Sequence, residues 1–330
     1  MEQLNSISKY YKNKQILITG SSGFIAWSLI KTLSDFDCKI FCLSRNTINT
    51  MKEQTNATLV YINNSYEDLE SFEKLLKDID IVFHLASQTS IYEAEKDPIA
   101  DYRANVLPMQ LILEGCRKNS KETIILFTGT STQCGIPKKI PVDENVKDNP
   151  ITTYDFHKLQ AERWLKFYVK QGWIKGATFR LTNVYGPGPK SSSTDRGILN
   201  LMIKRALQGE SLTVYGSGKY IRDYIFVLDL ISVLLLSPMK INEINGKHYV
   251  LGSGEGTSIY DAISLVARQV SNLIGEKIKV LKIDAPADMA EIEFRNFIAD
   301  TNSLLKLGLI NQHHNIDQGI DRTIKFYNKR

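Results

Sequence analysis

The chain has 330 residues, 43% hydrophobic and 23% charged, with 41 basic against 36 acidic side chains and a formal charge of +5. That length is more than one ordinary core serves, so one large domain or two closely joined ones are expected, with a substantial core. The charge is spread along the chain rather than gathered into runs, which speaks against nucleic-acid binding; the excess fits either attraction of an anionic small substrate or a solvated surface of mixed sign.

Four cysteines, Cys38, Cys42, Cys116 and Cys134, lack CxxC spacing, and nothing resembling a secretory signal precedes them, so a reduced cytoplasmic protein is expected. The longest apolar stretch, "YIFVLDLISVLLL" from Tyr224, contains Asp229 and falls short of the roughly 20 residues of a membrane helix, so it is read as a core strand and helix. The histidines are scattered and give no metal-ligand spacing; no metal site is expected.

In chain order, the β-branched or apolar runs "QILIT", "KIFCLS", "TLVYI", "IDIVFHLA", "TIILFTG" and "ATFRLTNVYG" alternate with amphipathic stretches over residues 15–186. That alternation predicts βαβ units around a buried parallel sheet, a Rossmann-type doubly wound α/β fold. Apolar residues at three- and four-residue intervals predict a helix over 99–118, and another follows Asn149-Pro150. After Tyr185 comes the Pro/Gly/Ser stretch "GPGPKSSSTDRG"; beyond it short strands ("SLTVYG", "KHYVLGS") mix with helices at 196–208 and 258–274. The domain switch is therefore placed at Gly186, giving 1–186 as the dinucleotide domain and 187–330 as a smaller mixed α/β substrate domain, some of whose C-terminal segments return to the first.

Three stretches carry chemistry. "ILITGSSGFIAWSLI" begins as a strand and turns into a helix at Gly23; Gly20 permits a tight turn, Gly23 lets backbone approach a pyrophosphate, and the helix N-terminus offers unpaired N–H groups. The alternative is a glycine turn needed only for strand–helix packing. The second strand ends in Ser44-Arg45, where an NAD enzyme carries an acid for the ribose 2′-hydroxyl; a hydroxyl followed by a guanidinium suits a 2′-phosphate and favours NADP over NAD, the alternative being that Arg45 is a solvated loop residue. "TTYDFHK" sets Tyr154 and Lys158 four apart, on one helical face, where an ammonium favours the phenolate and makes the tyrosine a usable general acid/base. Tyr10/Lys14, Tyr92/Lys96 and Tyr215/Lys219 share that spacing, but only Tyr154 opens a helix after the fifth strand.

Together "TGSSGFIA", "FHLASQTS", "ANV" at 104–106, the hydroxyls at 130–132, "YDFHK", "RLTNVYGPGP" and "YIRDYIFVLDL" resemble, in this order, the extended short-chain dehydrogenase/reductase family in its nucleotide-sugar epimerase, dehydratase and reductase branch. The resemblance runs to "FIADTNSLLKLG" near the C-terminus. It implies that Gly20, Ser22, Gly23, Phe24 and Ile25 form the pyrophosphate turn, that Ser44, Arg45, Asn64 and Ser65 face the adenosine half, that Leu85, Ala86 and Ser87 run under the cofactor, and that Asn105 supports the active-site helix. Thr130 is implied to hold the reacting sugar oxygen with the catalytic pair Tyr154 and Lys158, which with Asn105 also meet the cofactor; Ser131 and Thr132 are implied to contact the substrate, and Asn183 and Arg222 its diphosphate. Two departures stand out: the adenine-contacting aspartate is replaced by Asn64, and an arginine expected about ten residues before the C-terminal "AD" is absent, with Arg295 nearer.

The dehydratases of this family carry at least one acid after the active hydroxyl, to remove a poorly acidic proton and expel hydroxide; Ser131 and Thr132 stand there, which argues against dehydration. The leading expectation is NADPH-dependent reduction of a nucleotide-linked 4-keto-6-deoxyhexose for surface-polysaccharide sugars. The alternatives are an NAD-dependent 4-epimerase of the UDP-glucose/UDP-galactose type and, from another class, a non-catalytic NADP-sensing module. The resemblance also implies a homodimer pairing the helices near 99–118 and 153–170.

Overall fold

In the computed structural model, the described residues are 2–45, 55–64, 68–118, 122–188, 197–310 and 313–329. Close contacts divide the chain into two units: residues 1–133, 150–180 and 231–249 form the first, and 134–149, 181–230 and 250–330 the second. The sequence places the main switch at Gly186 with later segments returning to the first domain; here the chain crosses after residues 133, 149, 180, 230 and 249. One passage falls within the helix Val227–Leu236, whose apolar residues run on through the crossing after Leu230.

The first unit is built on a seven-stranded sheet whose strands are β1 (Gln15–Thr19), β2 (Lys39–Ser44), β3 (Thr58–Asn63), β4 (Ile81–His84), β5 (Ile124–Thr130), β6 (Lys175–Leu181) and β10 (His248–Leu251), in the order β10-β6-β5-β4-β1-β2-β3. β1 pairs in parallel with β2 and β4, β2 with β3, and β4 with β5. Parallel strands covered on both faces need side chains that are apolar all round, as in the fully buried Ile16, Leu17 and Ile18 of β1. This is a Rossmann-type doubly wound α/β fold, and its strand order reverses between β1 and β4, where such sheets open a ligand crevice at the carboxyl ends of the strands. The predicted helix over 99–118 is two, Pro98–Asn105 and Leu107–Arg117. Pro108, which lacks an N–H and clashes with the preceding turn, enforces the break and opens the second helix.

The second unit contains the strands β7 (Asn183–Tyr185), β8 (Leu212–Tyr215), β9 (Ile221–Phe226), β11 (Gly256–Ser258) and β12 (Val280–Ile283), arranged as a three-stranded sheet β11-β9-β7 and a pair β12-β8. The helices Ile198–Leu207, Ile259–Ile274 and Ile316–Asn328 pack apolar faces around Phe226, Met202, Val266 and Ile320. The 134–149 excursion is fastened by a parallel bridge from Val142 to Ala299, with Val142 N–H donating to the Ile298 carbonyl at 2.7 Å. Among the described residues no helix is long and apolar enough to cross a membrane.

Candidate active site

The phosphate turn lies at the carboxyl end of β1. Gly20 has φ +67°, and a Cβ there would stand 2.7 Å from the Ala86 Cα, so only glycine lets this turn lie against the segment after β4. Gly23 is the N-cap of the helix Phe24–Leu33 and, having no side chain, makes no cap hydrogen bond to its first N–H groups. Thr19 fastens the two turns together: its hydroxyl oxygen accepts from Leu85 N–H and Ala86 N–H at 3.1 Å each and lies 2.8 Å from His84 Nδ1. With both N–H groups donating to it, the hydroxyl gives its own proton to Nδ1, which leaves the imidazole proton on Nε2. His84 is fully buried; burial, then the nearby charge of Lys158, push its pKa down to about 3. The ring is therefore neutral.

At the tip of β2, Ser44 is buried and its hydroxyl donates to Ser22 at 2.8 Å, tying this strand to the phosphate turn, while Arg45 is exposed. Asn64 N–H donates to the Ser44 carbonyl at 3.2 Å. Ser65 lies outside the described residues. Ser87 donates to Asn105 Oδ1 at 2.6 Å, and the Asn105 amide donates to Gln88 O and to Asp101, both at 2.9 Å. Buried Asp101 also lies 2.7 Å from His157 Nδ1, beside Lys158. Asn105 therefore reaches the Tyr154 helix through an acid that the sequence motifs do not mark.

Tyr154, Lys158 and their neighbours come from the helix Thr153–Lys170, which starts where Thr152 accepts from Asp155 N–H at 3.1 Å, a capping arrangement three residues apart. Tyr154 and Lys158 are both buried. The Lys158 ammonium sits 4.3 Å from the centroid of Phe127, on β5, a cation–π contact that holds it in low dielectric. Three residues beyond Phe127, β5 ends at half-buried Thr130 and tightens into the short 3₁₀ turn Ser131–Cys134. Thr130 Oγ1 lies 2.7 Å from Thr132 Oγ1, and the Thr132 hydroxyl donates to Asp155. The row of hydroxyls thus does have an acid, set on the facing helix one residue after Tyr154. Ser131, like Thr132, is buried.

Gln133 braces the same turn. Its Oε1 accepts from Thr130 N–H at 2.9 Å, its amide donates to Glu162 at 2.9 Å, and it packs so closely on Gly129 that a Cβ there would stand 2.6 Å from Oε1. Fully buried Glu162 takes two hydrogen bonds from Arg180, at 2.8 and 2.9 Å, and one from Lys166. Burial alone would raise its pKa, but the Arg180, Lys166 and His248 charges hold it at about 2. Asp101, Phe127, Asp155 and Glu162 escape a motif-based reading. For Asp155 a local signal exists in the Thr152/Asp155 cap spacing; the other contacts are long-range.

In the second unit, Asn183 is half-buried on β7. Arg222 is buried, and its guanidinium donates to the carbonyls of Glu293 (2.7 Å) and Arg295. Its neighbour Asp223 does not pair with it, but accepts from Ser253, Gly254 and Ala299 N–H groups at 2.7 to 3.0 Å.

The sequence model of the NAD dependent epimerase/dehydratase family matches residues 16–252. The chain belongs to that family. A Methanocaldococcus jannaschii protein with the provisional name UDP-glucose 4-epimerase is 29% identical over 258 residues, covering 77% of this chain and 82% of its own. The UDP-glucose 4-epimerase of Lactobacillus helveticus is 24% identical over 332 residues, covering 95% and 97%. Among solved structures, the Thermotoga maritima UDP-glucose 4-epimerase bound to UDP-glucose superposes with a TM-score of 0.84 at 24% identity, over 96% of this chain and 99% of that one, a likeness of fold. In this epimerase/dehydratase frame, the phosphate turn, the β5 hydroxyls and the Tyr154 helix form the chemically distinctive part of the first unit.

Proposed function

We propose that the protein is a nucleotide-sugar 4-epimerase of the UDP-glucose/UDP-galactose type. The observation that carries the chemistry is Lys158, buried one helical turn from Tyr154 and seated on Phe127 of the strand that ends at Thr130. A desolvated ammonium at that spacing favours the phenolate of Tyr154, which makes it a base toward a sugar hydroxyl and an acid toward the ketone. The nicotinamide dinucleotide that the family uses supplies a hydride acceptor and donor; Gly20, Gly23 and the following helix N-terminus would hold its pyrophosphate, where the open N–H groups and glycine approach fit an anion. Asn183 and Arg222 are assigned to the diphosphate of the sugar nucleotide.

The names of the relatives favour epimerisation over the reduction expected from sequence. One observation favours the second reading: Arg45 is exposed at the β2 tip, where it suits a 2′-phosphate and hence NADPH-dependent reduction of a 4-keto sugar. Incubation with UDP-glucose or UDP-galactose separates the two: interconversion without net change in the nicotinamide band supports the epimerase, whereas NADPH oxidation only with a nucleotide 4-keto-6-deoxy sugar supports the reductase. Tyr154→Phe is expected to lower kcat by about 10²- to 10⁴-fold in either case; a variant with full biological activity would instead favour a cofactor-sensing module. The homodimer is supported by Ile99, Phe156, Trp164 and Phe167, which expose apolar surface on the two helices assigned to it. Light scattering at micromolar concentration is expected to give twice the chain mass.

A further inference from the structure

We propose that Asp155, acting through Thr132, fixes Thr130 as a hydrogen-bond acceptor and so biases the site toward a sugar hydroxyl over a sugar ketone; this rests on the epimerase reading above. Asp155 is fully buried, and both of its oxygens accept from hydroxyls: Oδ2 from Thr152 at 2.7 Å, Oδ1 from Thr132. Two donated protons and a position in the first turn of a helix are what an ionised carboxylate takes. The Thr152 contact closes a helix cap and needs nothing more. The Thr132 contact spans 23 positions and has no such local purpose.

A threonine hydroxyl has one proton. Thr132 gives its proton to Asp155, so the 2.7 Å contact between Thr132 Oγ1 and Thr130 Oγ1 is made with the proton of Thr130. Thr132 N–H also points to Thr130 Oγ1, at 3.4 Å. Thr130 is half-buried, and what its oxygen can still offer is a lone pair. A sugar C4 hydroxyl can donate to that lone pair before its proton turns to Tyr154. A C4 ketone has no proton to give, and its oxygen would face another acceptor. The hydroxyl chain is thereby polarised from the buried acid outward. In an epimerase it disfavours accumulation of the keto intermediate between the two hydride transfers; in a reductase it would oppose binding of the substrate. Asp155 and Thr132 are positioning residues in this scheme, since both act on the sugar oxygen through Thr130.

The test measures affinities in the cofactor-loaded Tyr154→Phe protein, in which chemistry is suppressed. UDP-glucose and UDP-4-keto-6-deoxyglucose are titrated separately, and the ratio of their Kd values is compared among Thr132, Thr132→Val and Thr132→Ser backgrounds. Valine keeps the shape of threonine and frees the Thr130 proton to turn toward the sugar, so the ratio is expected to move about tenfold toward the ketone, the scale of one hydrogen bond reversed. Serine restores the chain and is expected to return the ratio. Asp155→Ala should shift it in the same direction as valine, and its circular dichroism reports whether the helix cap survives. An unchanged ratio in Thr132→Val, or equal loss of affinity for both sugars, overturns the proposal. Because the ratio is a binding measurement, it is obtained whether or not the wild-type protein interconverts UDP-glucose and UDP-galactose, and failure of the epimerase reading is seen separately in that turnover assay.

Discussion

Glu162 in the first unit and Asp223 in the second are both completely buried carboxylates, and they are stabilised in opposite ways. Glu162, in the first, is held by charge: Arg180 clasps it through two hydrogen bonds, Lys166 and His248 stand beside it, and its pKa falls to about 2 despite burial. Asp223, in the second, is held by uncharged donors: the N–H groups of Ser253, Gly254 and Ala299, the Ser253 hydroxyl at 2.8 Å and the Thr182 hydroxyl at 3.3 Å. There burial outweighs those donors and raises the pKa. Cations give the first acid a fixed charge on which a further network can be hung, and Gln133 hangs the hydroxyl-bearing turn after β5 from it. Backbone N–H groups make the second a knot that gathers β9, the loop after β10 and the strand-like segment at Ala299.

Removing the charge should separate the two most clearly. Glu162→Gln keeps the shape but leaves Arg180, only 3% exposed, without its counter-ion, a change expected to cost about 3–5 kcal/mol. Asp223→Asn turns an amide donor toward N–H groups that also donate, and leaving such groups unsatisfied costs about 1–3 kcal/mol. Urea unfolding of the two variants beside wild type checks the order; equal costs would break the contrast between ionic and backbone anchoring.

The pH dependence of unfolding should divide in sign. Glu162 has its folded pKa depressed, so its stabilisation is present above the ordinary value of 4.5 and is lost as pH falls toward about 2. Neutral His84 acts in the same direction, its contribution fading as pH falls from the ordinary 6.5 toward about 3. Asp223 has a raised pKa, so its contribution is present below the ordinary 3.8 and is lost as pH rises through its folded value. Acidification is therefore expected to weaken the first unit while relieving Asp223. A Glu162→Gln variant whose unfolding curve retained the full wild-type loss below pH 4.5 would remove Glu162 as its source.

The same contrast marks what could be read from sequence. Strands β1 and β2 match the expected runs "QILIT" and "KIFCLS" because a parallel strand buried on both faces needs an unbroken apolar run, which is a local property. The break at Pro108 was also local but was outweighed by periodicity on either side of it. The passage of 134–149 into the second unit was not legible, since "GIPKKIPVDENVKDN" has no period and its anchor is Ala299, far along the chain. Within the site, the Tyr154/Lys158 spacing is legible only with its place at the start of the helix after β5, since three other pairs share it. For Asp155 the local cap with Thr152 is legible but the contact with Thr132 is not, and a search for an acid beside Ser131 and Thr132 along the chain passes over one supplied from the facing helix.

The gentlest perturbation of each knot is the removal of one uncharged partner. Thr182→Val takes from Asp223 a single donor at 3.3 Å while keeping side-chain shape; three N–H groups and the Ser253 hydroxyl remain, so a loss of about 0.5–1 kcal/mol is expected. Gln133→Leu removes one donor of four to Glu162, whose two Arg180 contacts and one Lys166 contact remain, and its cost in stability should be of similar size. Their effects on turnover should nonetheless differ. Gln133 also accepts from Thr130 N–H, so leucine strands a donor at the residue assigned to the reacting oxygen and loosens the turn that carries it. With matched changes in unfolding midpoint, Gln133→Leu is expected to lower kcat severalfold on UDP-glucose, and Thr182→Val to leave it within twofold, as for a hydrogen bond worth about 1 kcal/mol on one side and none on the other. Equal kcat values would show that the ionic anchor under the hydroxyl turn serves folding alone.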